Sequence, residues 1–489
     1  MPSEPPEPPA VPLSDSASGA PLRPHDTPPN LEQGSLRQAM WQALRGHIPD
    51  VATSDLRRAI PLLALPMALE SAMEALFVLV DMLLVARLGP AAVATLGLTE
   101  SIIACLYALA FGMAAPATAM VARRSGEGNP AAVAEAANQS FWLAIMVGSG
   151  GALLACWSAP LLQLLGAEAE VLAIGTPFMT ISLCMGPIIT TLFVLSGVLR
   201  GVGNPAMAMR GLAVANITNL LLDPCLIFGL GPFPALGVTG AAIATFIGRG
   251  SGALFLLVYL CRGPIAMPLW PLKRAAIARK LLRLALGGAA QHLVETGSWL
   301  FLVRILATFG SAAVAGYTIA MRIVLFTLLP TWGLSNATGT LVGQSLGAGN
   351  PARAAKAVWL SGWYTSAALG SCAGFFLLRP DLPVALFSPE PAVAHVAQEG
   401  VRIISCGYVF YGWQMVTQQA FNGAGDTRTP ALINLMCFWL LQVPGAYLLC
   451  LRTTVGTAGI FWAITVSYTV SALVSVLLVR RGRWQQVHV

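Results

Sequence analysis

Three carboxylates stand in one otherwise apolar stretch, "ESAMEALFVLVDMLLVARLG" (residues 70–89): Glu70, Glu74 and Asp81. Their spacing of i, i+4, i+11 places them within roughly 40° of one another on a helix that turns about 100° per residue. A charge at the centre of a bilayer costs about 2.5–3.5 kcal/mol on insertion scales, so each acid needs a partner, a proton or a water-filled cavity. Like charges stacked on one stripe repel, which suits the stripe to taking up a proton or a cation. The competing role is structural: a carboxylate paired with arginine, or one that caps a broken helix.

A second constellation lies in "NITNLLLDPCLIFG" (216–229), where Asn216, Asn219 and Asp223 share a helix face at i, i+3, i+7. Pro224 removes a backbone donor and frees a carbonyl of the preceding turn. Carboxylate, amide and carbonyl oxygens together form a hard-cation or proton site, and Thr245 in "GAAIAT" adds a hydroxyl. The alternative for the asparagines is an interhelical hydrogen-bond clamp. Glu295 follows Glu74 by 221 residues, flanked at helical spacing by His292 and Trp299. His292 alone reads more readily as a satisfied interior histidine than as a proton relay. Arg249, Arg304 and Arg322 are candidate counter-ions whose pairing the sequence does not assign. In "GYVFYGWQMVTQQAFNGAG" (407–425), Tyr408, Tyr411, Gln414 and Gln418 fall on one side of a helix. Such a surface suits a lipophilic cation through cation–π contacts, or else the residues are interface aromatics and packing glutamines. With Glu70, His292 and Trp299, these four are candidates for a substrate cavity.

The elements that must hold these groups are membrane helices. Of 489 residues, 56% are hydrophobic and 10% charged, against about 25% charged in a soluble globular chain. Apolar runs long enough for a span, roughly 20 residues, recur twelve times between about 59 and 479. They are continuous, not alternating, which excludes a β-barrel. Basic residues gather on one side of such a topology: Arg57, Arg58, Arg123, Arg124, Arg200, Arg210, the cluster from Arg262 to Arg283, Arg353, Lys356, Arg428, and Arg480 to Arg483. The opposite loops offer Arg87, Arg379, Arg402 and Arg452. Positive residues stay inside, so both termini are expected in the cytoplasm. The net charge of +7 is then a topology signal and not a nucleic-acid surface.

The first residues are Pro-, Ser- and acid-rich, too poor in apolar surface to fold alone, and lack the pattern of a signal peptide. A short amphipathic helix over 35–46 is expected on the membrane surface, with Leu36, Met40 and Leu44 along one side. The nine cysteines are scattered singly and the five histidines do not cluster, so neither a disulfide framework nor a structural metal is expected.

The chain also repeats itself. "GMAAPATAMVARRSGEGNPAAVAEAANQSFW" (112–142) aligns without gaps with "GLSNATGTLVGQSLGAGNPARAAKAVWLSGW" (333–363) at an offset of 221, including Gly112/Gly333, Gly126/Gly347 and both "GNP" strings. The same offset lays "ARLGPAAVA" over "ATFGSAAVA", and an offset of 222 lays "RGVGNP" over "NGAGDT". Each copy spans an even number of helices, so the halves are parallel repeats, a recurring transporter plan with a site between the halves.

These residues resemble the MATE (multidrug and toxic compound extrusion) family, a branch of a superfamily that also contains flippases. The match runs over about residues 55–480 and is carried by "VDMLLVARLG", "LRGVGNP", "NLLLDP", "LGVTGAAIAT" and "TIAMRI…GQSLGAGNP". The resemblance implies two six-helix lobes in a V, with efflux of organic cations coupled to entry of H⁺ or Na⁺. It makes Asp81 the coupling residue and Pro66 the point where the first helix bends. "NLLLDP" is similar to the DNA-damage-inducible F subgroup, in which Asn219, Asp223 and Thr245 join Asp81, whereas Glu295 resembles the seventh-span acid of the NorM-type subgroup. The tenth-span Asp of that subgroup has no counterpart, and Glu70 and Glu74 belong to neither pattern.

The expectation is therefore an all-α integral membrane protein of twelve transmembrane helices. Residues 1–54 form a cytoplasmic tail, 55–262 an N-lobe, 263–280 a linker, 281–480 a C-lobe and 481–489 a second tail. It is expected to be a monomeric antiporter of the inner membrane, in contact with lipid and organic cations. No resident cofactor is expected, and no metal beyond a transported Na⁺. A lipid-linked precursor flippase is the rival, disfavoured because its cavity needs cationic residues. A membrane-embedded enzyme is further off, since no nucleophile–base pair is visible.

Overall fold

The structure, a computed structural model, describes residues 36–44, 46, 54–270, 275–387 and 390–487. The expectation for the Pro-rich tail lies outside the described residues except for α1 (Leu36–Leu44). Rather than standing free, α1 packs Ala43 and Met40 on Leu62, while Arg210 donates to the Leu44 carbonyl at 3.3 Å.

No strand occurs among the described residues. The first half holds α2 (Leu56–Ala86), α3 (Pro90–Gly126), α4 (Pro130–Leu153), α5 (Ser158–Leu164), α6 (Ala169–Cys184), α7 (Gly186–Val202), α8 (Pro205–Phe228) and α9 (Val238–Arg262). The second half holds α10 (Ala275–Ala307), α11 (Ser311–Gly347), α12 (Pro351–Leu378), α13 (Asp381–Ala385), α14 (Pro391–Cys406), α15 (Tyr408–Ala424), α16 (Arg428–Asn434), α17 (Val443–Leu451) and α18 (Ala458–Arg480). A π-helical stretch, Leu435–Gln442, joins α16 to α17; Pro444 follows it, and a proline withdraws the donor a regular turn needs.

Seven stretches among the described residues are long and apolar enough to cross a membrane: Pro90–Gly126, Pro130–Leu164, Pro205–Phe228, Val238–Arg262, Ser311–Gly347, Arg428–Leu451 and Ala458–Arg480. An eighth results when α6 and α7, bent by 41°, count as one. The periphery carries exposed leucines such as Leu164, Leu300 and Leu378, the surface a helix presents to lipid.

The repeated "G-N-P" strings are turn chemistry. Gly128, Gly203, Gly349 and Gly425 take φ of +67°, +95°, +70° and +87°, left-handed values that glycine tolerates at a helix end. The next residue caps the following helix. Asn129, Asn204 and Asn350 accept from the amides of Ala132, Met207 and Arg353 at 3.0, 3.2 and 2.9 Å, and Asp426 accepts from Thr429 at 3.1 Å. Pro130, Pro205 and Pro351 open their helices, where the missing N–H has no intrahelical partner to lose.

Each half has its own large apolar core, yet each half's first helix leans on the other half. The start of α2 packs Leu56, Ile60, Leu63 and Met67 against Ala337, Leu341 and Ala357 of α11 and α12. Reciprocally, Leu281 and Ala285 of α10 join the core of the first half.

Losing a cap costs about 1 kcal/mol, and replacing it by glycine only a few tenths. Asn350→Ala is therefore expected to lower thermal stability in detergent measurably, and Asn350→Gly to stay close to the parent; equal losses would exclude capping as the role of Asn350.

Candidate functional site

The three acids of α2 have three different fates. Arg200 of α7 reaches Glu70 at 3.5 Å. Arg249 of α9 grips Glu74 with both terminal nitrogens, at 2.8 and 2.5 Å. That guanidinium is itself 1% exposed, lies 4.3 Å over the Phe77 ring and touches the Tyr107 hydroxyl at 3.5 Å. A planar fork of donors matches a carboxylate in this bidentate way. Asp81 takes part in no ion pair among the described residues, and its Oδ1 is buried without a hydrogen-bond donor.

Around that aspartate stand the residues of α8 and α9. Asn219 donates to Asp223 Oδ1 at 3.1 Å and to the Thr245 hydroxyl at 3.3 Å. Asn216 donates to the Met73 carbonyl of α2 at 3.0 Å. Asp223 is fully buried, and the turns that follow it and Asp81 meet, with Val85 of α2 and Ile227 of α8 in one apolar cluster. Three oxygens here are buried and unpartnered: Asp81 Oδ1, Asp223 Oδ2 and Asn216 Oδ1. All three are acceptors, the kind of atom that a proton or a cation engages. Small residues bring the helices close enough: a Cβ on Gly248 of α9 would lie 2.8 Å from both Asn219 Cβ and the Ala215 carbonyl.

In the second half, Glu295 accepts from the Tyr468 hydroxyl of α18 at 2.8 Å, and Tyr411 stacks on Tyr468 with centroids 4.2 Å apart. The equivalent positions Glu74 and Glu295 thus have unlike partners, arginine in one and phenol in the other. His292 is exposed and meets Phe111 of α3 at 5.7 Å between ring centroids, across the boundary between the halves. Trp299 packs against the second core, and Gln418 donates to Asn434.

Tyr408 and Gln414 are buried in this structure, 0% and 3% exposed, with Tyr408 edge-on to Phe376. One side of a membrane helix is apolar whether it meets lipid or protein, so a shared helical side does not say which is which. Glu70 is buried as well and is paired with Arg200. Sequence reasoning placed Arg200 among the loop charges and missed Tyr107 and Tyr468. Tyr468 did leave a signal, since Ser467, Ser471 and Ser475 recur beside it at helical spacing in an apolar run.

The MatE family model matches the chain twice, over residues 66–225 and 289–448, once in each repeated half. The chain is 29% identical over 429 residues to a probable multidrug resistance protein NorM of Pseudomonas putida, covering 86% of this chain and 92% of that protein. It is 25% identical over 455 residues to a protein of the same description from Thermotoga maritima, covering 91% and 97%. A solved structure described as the outward-facing conformation of a multidrug resistance MATE family transporter superposes with a TM-score of 0.82 at 25% identity, covering 91% of this chain and 98% of that one.

Breaking a buried ion pair by removing one partner costs about 3–5 kcal/mol, more than removing both. Thermal unfolding in detergent is expected to show Arg249→Met strongly destabilised and Glu74→Leu/Arg249→Met largely recovered; additive losses would mean the two side chains do not act as a pair.

Proposed function

The chain belongs to the MatE family, and from that premise we propose that it exports organic cations in exchange for H⁺ or Na⁺, by alternating access. The observation that carries this reading is Asp81, the one acid of the α2 stripe left without an arginine. With Asp223, Asn216, Asn219 and Thr245 it offers unpaired oxygens to an incoming ion. Glu295 and Tyr468 are the corresponding candidates in the second half. His292 and Tyr411 remain candidates for contact with substrate.

The spans number twelve on this reading. Besides the apolar stretches, α2, α10 and α12 contain 31, 33 and 28 residues, more than the roughly 20 needed to span. Their charged residues lower their hydropathy without shortening them. α14 and α15, broken at Gly407, make the remaining span. Six spans then form each lobe, the basic loops face the cytoplasm of a monomer in the inner membrane, and the site lies in the N-lobe.

Coupling follows from Coulomb terms and a hinge. Proton or Na⁺ uptake removes the mutual repulsion of Asp81 and Asp223. α2 runs unbroken through Pro61 and Pro66; Pro66, the nearer to the acids, cannot donate to the Leu62 carbonyl, so the helix is weakened there. Its inner part is held by the second half, which leaves the part bearing Asp81 as the end that swings. An ion drives such a change only through unequal affinity for the two states, and a carboxylate whose surroundings change has that property. The names of the relatives support drugs as cargo, and the carboxylates facing this site support positive charge on it.

Ethidium transport by purified protein in liposomes, under separately imposed pH and Na⁺ gradients, tests this. One gradient is expected to drive uptake into inverted liposomes, and Asp81→Asn and Asp223→Asn to reduce the rate at least tenfold with normal folding. Parent-like transport by Asp81→Asn would remove it from the coupling site.

A further inference from the structure

The two halves meet along a seam that obeys the internal repeat. A side chain on Gly126 of α3 would run into the Gln344 carbonyl of α11, and one on Gly347 of α11 would run into the Arg123 carbonyl of α3. The offset of 221 that relates Gly126 to Gly347 also relates Arg123 to Gln344, so these are one contact made twice. The same holds further along. A Cβ on Gly112 of α3 would overlap the Ala289 backbone of α10, and a Cβ on Gly333 of α11 would lie 2.6 Å from the Ala68 nitrogen of α2; Ala68 and Ala289 are again 221 apart. Between these pairs, a Cβ on Gly343 would sit 2.7 Å from that of Ala122. Gly112 and Gly126 lie fourteen positions apart on α3, so its two close backbone contacts, with α10 and with α11, are about 21 Å apart along the helix.

Three hydrogen bonds clasp the same end of the molecule, each crossing from one half to the other. Gln344 donates to the Gly201 carbonyl at 2.9 Å, Arg123 to that of Val487 at 2.5 Å, and Arg353 to that of Ser54 at 2.6 Å. Toward the opposite end the same two helices change character. Gly97 of α3 has nothing within 4 Å of its Cβ position, and Glu100 of α3 and Arg322 of α11 are exposed.

We propose that Gly112, Gly126, Gly333 and Gly347 form the inner gate of the transport cycle, closed in this structure, with Gln344, Arg123 and Arg353 as its latches. This rests on the antiporter reading, which puts the Gly-Asn-Pro loops on the cytoplasmic side. Glycine is required because closure brings main chains together with no room for a Cβ; a larger residue holds the halves apart on the inside. Release of cargo outward needs this closure, and reloading from the cytoplasm needs it undone, so these glycines position the halves in one state only.

The test uses the full chain in liposomes. Gly126→Val and Gly347→Val are expected to slow ethidium transport at least tenfold while equilibrium ethidium binding stays within threefold. Gly150→Val and Gly374→Val, at positions with nothing within 4 Å, are expected to stay within twofold. Independently, Ala122→Cys/Gly343→Cys is expected to cross-link under oxidant, with reductant raising its transport and leaving the transport of either single variant unchanged. Seam variants that transport within twofold of the parent overturn the gate, as do failure to cross-link and undiminished transport by cross-linked protein. If the valine variants do not fold, the disulfide decides alone. If the parent moves no ethidium under either gradient, the antiporter reading fails; the gate then stands or falls on whether cross-linking yield changes with pH or Na⁺.

Discussion

The ion pair between Glu74 and Arg249 decides how charge is distributed in the first half. A guanidinium so deeply buried needs a carboxylate on it, and Glu74 occupies it with both oxygens. The pair ties α2 to α9 and, by consuming the cation, leaves the next acid along the stripe with none. Arg200 consumes its own charge on Glu70 in the same way. What remains at Asp81 and Asp223 is negative potential in a low-dielectric surrounding, where an ion's charge is felt strongly. The ion pairs and the unpaired acids are thus two sides of one arrangement.

The repeat in the sequence is a repeat of packing more than of chemistry. The loops recur with the same left-handed glycine and the same cap, and the seam recurs contact for contact. The acidic cluster does not: Asp81 corresponds to Leu302 at the offset of 221, and Asn219 to Leu441 at the offset of 222 that holds from Arg200 on. On the proposed reading, two similar scaffolds facing each other allow two alternative closures, while a site in one of them gives the ion a single place to act.

Much of this was legible in the chain because it is local. Turn glycines, caps and apolar run lengths act within a few residues, and the Gly-Asn-Pro strings announced both repeat and loop. The acid stripe and the Asn216–Asp223 face were legible for the same reason, as spacings on single helices. The partners were not. Arg249 and Arg200 reach α2 from other helices, and nothing in their own neighbourhoods says which acid each takes. For Tyr408 and Gln414, helical spacing gives a side but not what faces it, and in a membrane protein the inside and outside of a helix bundle are equally greasy. The glycines of the seam were visible as matching letters, yet their meaning depends on a close approach of two helices that no single-helix pattern encodes.

The clasp between Arg353 and Ser54 and the one between Arg123 and Val487 have a consequence for how the molecule is held together. Ser54 precedes the first helix of one half and is fastened to the other; Val487 follows the last helix of that other half and is fastened back to the first. Each half is thereby moored to its neighbour by the chain's outlying segments, crosswise, like two boats sharing each other's lines. Cohesion at this end of the molecule does not depend on the covalent link between the halves alone, and whatever loads those outlying segments pulls on the join itself.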